Sequence, residues 1–134
     1  MKTEIAVSST LHSQHLAAAL DALMRHSFHS VMVSEAQSNS PVVYVNDAFT
    51  DLTGYSAEET IGKSPSFLQG PETDRTVLDR LHEDMSAGRV FEGKTTNYRK
   101  NGSAFTMHWR VVPVKDASGH PVYFAAFQQE SRSE

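Results

Sequence analysis

Hydrophobic residues near the N-terminus recur every three or four positions, which is the spacing of one face of an α-helix. The members of this apolar stripe are Leu16, Leu20, Leu23 and Met24. Ser9 or Thr10 has the side chain of an N-cap, so the pattern predicts a helix from there to about His26. The stripe precedes the rest of the predicted core and therefore needs a partner.

The period then changes to two, which is typical of half-buried β-strands. Residues 28–34 read as a strand in which two valines alternate with serine and methionine, and residues 42–45 form a β-branched run with one aromatic side chain. Segment 38–41 has the composition of a turn between them.

The middle of the chain predicts short helices that end at glycines. Asn46 begins a helix that ends at Gly54, and the capping-box sequence 56–59 begins another that ends at Gly62. After a tight connector at 65–70, a longer amphipathic helix runs over 73–88. Its inner face carries Leu78, Leu81 and Met85.

The last third of the chain is predicted to be β-structure. Strands over 90–100 and 103–114 flank Asn101-Gly102, a strong signal for a hairpin turn, and a final strand covers 121–129. Two strands, several short helices and three more strands predict an α+β fold. We expect a five-stranded antiparallel sheet with helices on one face.

Composition narrows the function classes. The chain has 134 residues, which suits one domain, and its net charge of −4 gives no basic surface for nucleic acid. No apolar run approaches the roughly 18 residues of a membrane span, and the N-terminus lacks a signal-peptide pattern. The absence of cysteine excludes disulfides, thiolate metal sites and a cysteine nucleophile. We expect a cytoplasmic protein.

Several separated segments carry a family resemblance. They are VYVNDAF at 43–49, LTGYS at 52–56, EETIGK at 58–63, FLQGPETDR at 67–75, NYRKNGSAF at 97–105 and YFAAFQ at 123–128. Together they resemble the PAS domain, and the last three resemble its light-oxygen-voltage (LOV) subfamily. The resemblance implies a flanking helix over 1–27, a PAS/LOV-like domain over 28–130 and a polar tail over 131–134.

LOV domains are blue-light sensors that hold flavin mononucleotide (FMN), or sometimes FAD, between the sheet and the short helices. Their signature is G-x-N-C-R-F-L-Q, and the corresponding stretch here is GKSPSFLQ at 62–69. Pro65 takes the place of the cysteine that attacks the flavin, so the resemblance implies that no covalent adduct forms. Ser64 replaces the signature's asparagine, and Ser66 replaces a phosphate-binding arginine.

Other positions that the resemblance assigns to the cofactor have also changed. His82 stands for a second arginine, Met107 for an asparagine and Trp109 for a smaller leucine or phenylalanine. Five positions are kept, namely Phe67, Leu68, Gln69, Asn97 and Gln128. We therefore expect weak or absent FMN binding.

The kept amides and the alternating strand are also explained without a ligand. Amides form hydrogen bonds inside filled cores, and alternation is what any half-buried strand shows. The alternating residues are Phe105, Met107, Trp109 and Val111. Core packing, a flavin and another small apolar ligand remain open at this point.

Two further clusters have ordinary explanations. His12 and His15 are three positions apart on the first helix, a spacing that suits either a metal ion or a solvated face, and we expect the solvated face. Asp47 and Asp51 have no histidine, serine or lysine placed to complete a catalytic set. We therefore expect no metal and no enzyme.

These observations predict a non-enzymatic PAS/LOV-like sensory and protein-interaction domain in signal transduction. The alternative is a flavin-binding blue-light or redox sensor that works without an adduct. No kinase, cyclase or DNA-binding segment follows residue 130, so we expect output through an unidentified protein partner or self-association. The N-terminal stripe predicts a two-fold homodimer.

Overall fold

The computed structural model describes residues 13–132 of the chain. Its elements are α1 (Ser13–Arg25), β1 (Ser30–Glu35), β2 (Val42–Val45), α2 (Asp47–Thr53), α3 (Ala57–Thr60), the 3-10 helix η1 (Pro65–Leu68), α4 (Arg75–Ser86), β3 (Phe91–Tyr98), β4 (Ala104–Lys115) and β5 (Pro121–Glu130). The strands form one antiparallel sheet in the order β2-β1-β5-β4-β3. The predicted α+β architecture is confirmed.

The first strand begins later than its sequence pattern predicts. Phe28 lies outside β1 and is fully exposed, so the prediction of a strand from residue 28 is wrong. The Ser27 hydroxyl accepts a hydrogen bond from the His29 amide at 3.1 Å, and this local bond turns the chain before β1 starts. The predicted N-cap of α1, Ser9 or Thr10, lies outside the described residues.

Asn46 joins three elements that are separate in the sequence. Its buried Oδ1 accepts hydrogen bonds from the amides of Phe49 at 3.1 Å and Val31 at 2.9 Å. Its Nδ2 donates to the carbonyls of Met24 at 2.8 Å and His29 at 3.0 Å. The N-cap that the sequence predicts for α2 therefore also holds the end of α1 against the start of β1.

The β3–β4 hairpin is confirmed, with a longer loop than a two-residue turn. The Arg99 amide donates to the Ser103 carbonyl at 2.9 Å, and the loop between them covers residues 100–102. Gly102 has φ of +90°, a left-handed conformation in which other residues are strained. The strands consequently stop at Tyr98 and restart at Ala104.

The hydrophobic core lies between the inner face of the sheet and the helical layer. Its buried members are Met32, Val42, Val45, Phe49, Leu68, Phe91, Phe105, Met107, Trp109, Val111, Phe124 and Ala126. Phe49 comes from α2 and Leu68 from η1, whereas Leu81 and Met85 of α4 pack against the core while partly exposed. The helical layer therefore covers the inner face of the sheet.

Both edge strands are bonded to neighbouring loops. At the β3 edge, the Thr73 hydroxyl donates to the Thr96 carbonyl at 2.7 Å. At the β2 edge, Val42 exchanges backbone hydrogen bonds with residues 62–63 at 2.8 and 2.9 Å. These contacts use edge groups that would otherwise be open to pairing with another chain.

Candidate functional site

The sheet places four of the predicted site residues on its inner face. Asn97 lies on β3, Met107 and Trp109 lie on β4, and Gln128 lies on β5, and all four are buried. Trp109 is directly opposite Gln128 across the β4–β5 pair. The signature segment that carries Phe67 and Leu68 belongs to the helical layer.

Asn97 is an inner-face amide whose side-chain oxygen has no hydrogen-bond partner. Its side chain is 6% exposed, and Nδ2 donates only to the Met107 sulfur at 3.3 Å, which is a weak acceptor. Oδ1 is the only side-chain nitrogen or oxygen atom in the described residues that is buried without a hydrogen-bond partner. An unpaired buried polar atom costs stability, so this position is unfavourable for the chain as it stands.

The side-chain oxygen of Gln128 accepts a hydrogen bond from within the fold. The Ser30 hydroxyl donates to Gln128 Oε1 at 2.7 Å, and the two residues are directly opposite each other across the β1–β5 pair. The bond is buried and links residues that are far apart in the sequence. Gln128 therefore forms a hydrogen bond inside the core, which is the ligand-free explanation that the sequence left open for this amide.

Trp109 and Phe91 form an aromatic pair on the inner face. Their ring centroids are 4.9 Å apart with an interplanar angle of 58°. The Arg80 guanidinium lies 4.9 Å over the Phe91 ring, and its Nη1 donates to the Glu92 carbonyl at 2.9 Å. The pair is thus packed on one side by the core and covered at its rim by a cation from α4.

Pro65 occupies the position of the signature's reactive cysteine, and in this structure it begins the helix η1. Pro65 is the first residue of this 3-10 helix, where a missing amide hydrogen leaves no helical bond unmade. Ser64 is the N-cap and accepts from the Ser66 amide at 3.3 Å. Ser66 is exposed, and its hydroxyl lies 3.1 Å from that of Ser64.

The remaining signature residues pack the helical layer. Phe67 meets Tyr55 edge to face, with centroids 4.9 Å apart, and Leu68 is buried in the core. Gln69 is half-buried, and its backbone N–H donates to the Ser66 carbonyl at 3.0 Å. Phe67 and Gln69 therefore stand beside the core rather than within it.

The inner face does not fit a flavin ring in this structure. Side chains that lined an empty slot of that size would be accessible to water, yet Met107 is 1% exposed and Phe91 is 0% exposed. Phe49 and Leu68 of the facing layer are equally closed. These described residues are close-packed and leave no slot of that size beside them.

The phosphate side of the expected site also lacks its charges. Ser66 is neutral, and His82 is exposed on α4. Neither residue supplies the permanent cation that charge-assisted binding of a phosphate requires. The implied FMN therefore finds neither a slot for its ring nor a cationic site for its phosphate at these positions.

Comparison with known proteins identifies the family. A model described as the PAS domain matches residues 29–131. The chain belongs to the PAS domain family. Phototropin-2 of Oryza sativa subsp. japonica is 35% identical over 119 residues, which are 88% of this chain and 13% of the relative. The blue-light photoreceptor of Listeria innocua serovar 6a is 32% identical over 115 residues, which are 86% of this chain and 45% of the relative.

The solved structures agree with these sequence relatives. An RNA-binding light-oxygen-voltage receptor matches with a TM-score of 0.84 at 25% identity, over 92% of this chain and 35% of the other. This PAS domain therefore has LOV homologues, and PAS is a sensory fold. It spans less than half the length of the two sequence relatives.

The outer face of the PAS sheet carries a polar cluster that the sequence analysis missed. Glu92 contacts His108 at 2.8 Å and Arg110 at 3.1 Å, and these bonds, that of His108 first, lower the pKa of the Glu92 carboxyl. A groove of about 370 Å³ runs beside the cluster and is also lined by Phe127. Alternation indicates that these residues face outward, but only the strand register makes them neighbours.

The other candidate clusters do not converge on a site. His12 lies outside the described residues, and His15 is exposed on α1. Within residues 13–132, no group of three or more histidine or carboxylate side chains is arranged to hold a metal. Asp47 and Asp51 are exposed on α2. None of the helices described is both long enough and apolar enough to cross a membrane.

Proposed function

We propose that this PAS domain is a LOV-like sensory and protein-interaction domain in signal transduction that forms no cysteinyl-flavin adduct. The observation that carries the proposal is Pro65 at the first position of η1, in a chain that contains no cysteine. Adduct formation needs a thiolate beside the flavin, and no side chain of this sequence supplies one. The domain then acts by contact rather than by catalysis, and the proposed compartment is the cytoplasm.

The test is illumination of the protein with added riboflavin or FMN. We expect no loss of the flavin blue-light absorption band that recovers in the dark without an oxidant. Free flavin at the same concentration serves as the control for photodegradation. Reversible bleaching that requires the protein would contradict the proposal.

The alternative is a flavin-binding light or redox sensor that works without an adduct. It is favoured by the unpaired Oδ1 of Asn97 and by the names of the relatives, which include blue-light photoreceptors. The absorption spectrum of the purified protein separates the two. We expect a colourless protein, whereas a stoichiometric flavin spectrum would favour the alternative.

We also propose that the domain forms a two-fold homodimer through α1. Leu20 and Leu23 of its apolar stripe are 50% and 64% exposed, so the helix lies outside the core. Phe127 and Tyr123 on the outer face of the sheet are about two-fifths exposed. Apolar surface on both elements supports association. We also propose that the output of the domain passes to a downstream protein partner.

A further inference from the structure

Phe28 is a fully exposed aromatic side chain on a segment that hydrogen bonds hold in place. The Ser27 hydroxyl accepts from the His29 amide and donates to the His29 carbonyl, with 3.1 Å for each bond. Asn46 Nδ2 also donates to the carbonyls of Met24 and His29, at 2.8 and 3.0 Å. The backbone on either side of the ring is therefore fixed while the ring itself stays in water, and covering it would be favourable.

The groove of about 370 Å³ on the outer face of the sheet begins at His29, the residue that follows Phe28. One of its walls is a series of polar side chains bonded to one another, namely Gln129, His108, Glu92 and Arg110. The carboxylate of Glu92 and the guanidinium of Arg110 balance each other in charge. The groove is thus preformed and has no net permanent charge, which suits an uncharged ring.

We propose that Phe28 of one protomer inserts into this groove of a second copy, and that the second copy inserts its own Phe28 in return. A two-fold interface requires one surface patch to carry both the inserting group and the groove that receives it. Phe28 adjoins His29, which lines the groove, so the chain meets this requirement. Phe127 contacts the inserted ring, and the Arg110 side chain, which is 58% exposed, covers its face.

The area of this contact explains why the apolar stripe of α1 belongs to the same interface. A buried aromatic side chain covers about 150–250 Å², so two inserted rings and their groove walls bury roughly 600–1,000 Å². A stable dimer buries about 1,200–2,000 Å² in total. Leu20 and Leu23 are exposed, and Asn46 ties Met24, the residue after Leu23, to the start of β1 beside Phe28. The two leucines therefore supply the remaining area, and the inference rests on the homodimer proposed above.

Phe28→Ala tests the insertion without disturbing the core. Two rings leave the interface, so we expect the dissociation constant of the dimer to rise at least about hundredfold. Sedimentation equilibrium over a concentration series measures it. The ring is fully exposed in the single protomer, so the Tm measured in the monomeric range should not change. A dimer of undiminished affinity would overturn the proposal.

Ile61→Ala is the matched control. Ile61 is a 45% exposed apolar residue between α3 and η1, and it does not line the groove. We expect its shortening to leave the dissociation constant unchanged. Equal weakening by Ile61→Ala and Phe28→Ala would overturn the proposal, because it would indicate association through any apolar surface.

A mixture of two variants tests whether the insertion is reciprocal. Phe28→Ala keeps its groove, whereas Phe127→Glu keeps Phe28 and places a carboxylate in the groove. Neither variant can form the contact with itself, but a heterodimer of the two forms it once. We expect the mixture to associate at least about tenfold more tightly than either variant alone. Two folded variants that give no such gain would overturn the proposal, and the Phe28→Ala result stands whether or not Phe127→Glu folds.

Trp109 gives a spectroscopic readout, because it is the single tryptophan of the chain and it lines the groove. We expect its emission to change with protein concentration in the unmodified protein and to stay constant in Phe28→Ala. A dimer whose formation leaves the emission unchanged would overturn the insertion.

The possible failures are distinguishable. A dimer that needs α1 but not Phe28 would overturn this inference and leave the proposed homodimer intact. An unmodified protein that stays monomeric at high micromolar concentration would overturn both, and a different protein would then be the candidate to cover Phe28. Reversible bleaching of flavin that requires the protein would contradict the proposed function alone.

Discussion

The inner and outer faces of the sheet differ in their exposure to water and in the side chains that they carry. The inner face is buried and mostly apolar, and its aromatic residues Phe91 and Trp109 pack against each other. The outer face leaves Phe127 about two-fifths exposed beside an ion cluster centred on Glu92. The inner face therefore supplies stability, and the outer face and α1 are the surfaces that we propose for association.

The largest expected effect comes from shortening one aromatic residue on each face. Phe91→Ala removes a fully buried ring and is expected to cost about 3–5 kcal/mol of unfolding free energy. Phe127→Ala, the matched change on the outer face, is expected to cost under about 1 kcal/mol because that ring is already partly solvated. Urea unfolding measures both. Equal losses would show that the outer face is as tightly packed as the inner one.

Self-association is expected to depend on α1. The double change Leu20→Glu and Leu23→Glu places charges on the exposed stripe and should weaken dimerisation by roughly tenfold or more, because burying a leucine contributes about 1.5–3 kcal/mol. Light scattering across a concentration series gives the equilibrium. Ile61→Glu, at an exposed apolar residue between α3 and η1, is the control and should leave the dimer intact.

A full-length protein that stays monomeric at high micromolar concentration would contradict the proposed dimer. A dimer that survives both glutamates would move the interface away from α1. The exposed outer-face residue Phe127 would then be the next position to charge.

The smallest effect concerns the outer ion cluster and pH. The pKa of Glu92 is lowered by His108 and Arg110, so this carboxylate adds stability above its unfolded pKa and loses it as the pH falls through the folded pKa. Between about pH 7 and about pH 3, Tm should therefore fall slightly more for the unmodified protein than for Glu92→Gln. The partial exposure of the pair keeps the effect small and sensitive to salt.

Glu83→Gln is the control for this pH series. Glu83 is exposed on α4, away from the cluster, and its removal should leave the pH dependence of Tm unchanged. If Glu92→Gln and Glu83→Gln behave alike, the outer cluster contributes nothing measurable to stability.

Local signals predicted the elements well because short-range contacts decide them. The capping box at Ser56 and Glu59 and the cap at Asn46 occur as expected, and the hairpin at Asn101-Gly102 occurs with a longer loop. The wrong prediction at Phe28 also has a local cause. The Ser27 hydroxyl bonds to the backbone of His29 just before β1, where the alternating pattern predicts a strand.

The sequence could not predict which side chains contact each other across the sheet. Ser30 and Gln128 are 98 positions apart, and Glu92 meets Arg110 only through the register of β3 and β4. A shift of one residue in that register would turn each side chain to the opposite face. Pairing therefore depends on how the whole sheet assembles rather than on neighbouring residues.

The sequence by itself determined the order of helices and strands, the absence of a thiol and the resemblance to PAS domains, because composition and local spacing carry that information. Only the tertiary structure decided that Trp109 packs on Phe91, that Gln128 is used by Ser30 and that Asn97 Oδ1 has no donor. The physical reason is that filling a core and satisfying buried polar atoms depend on distant residues meeting in three dimensions.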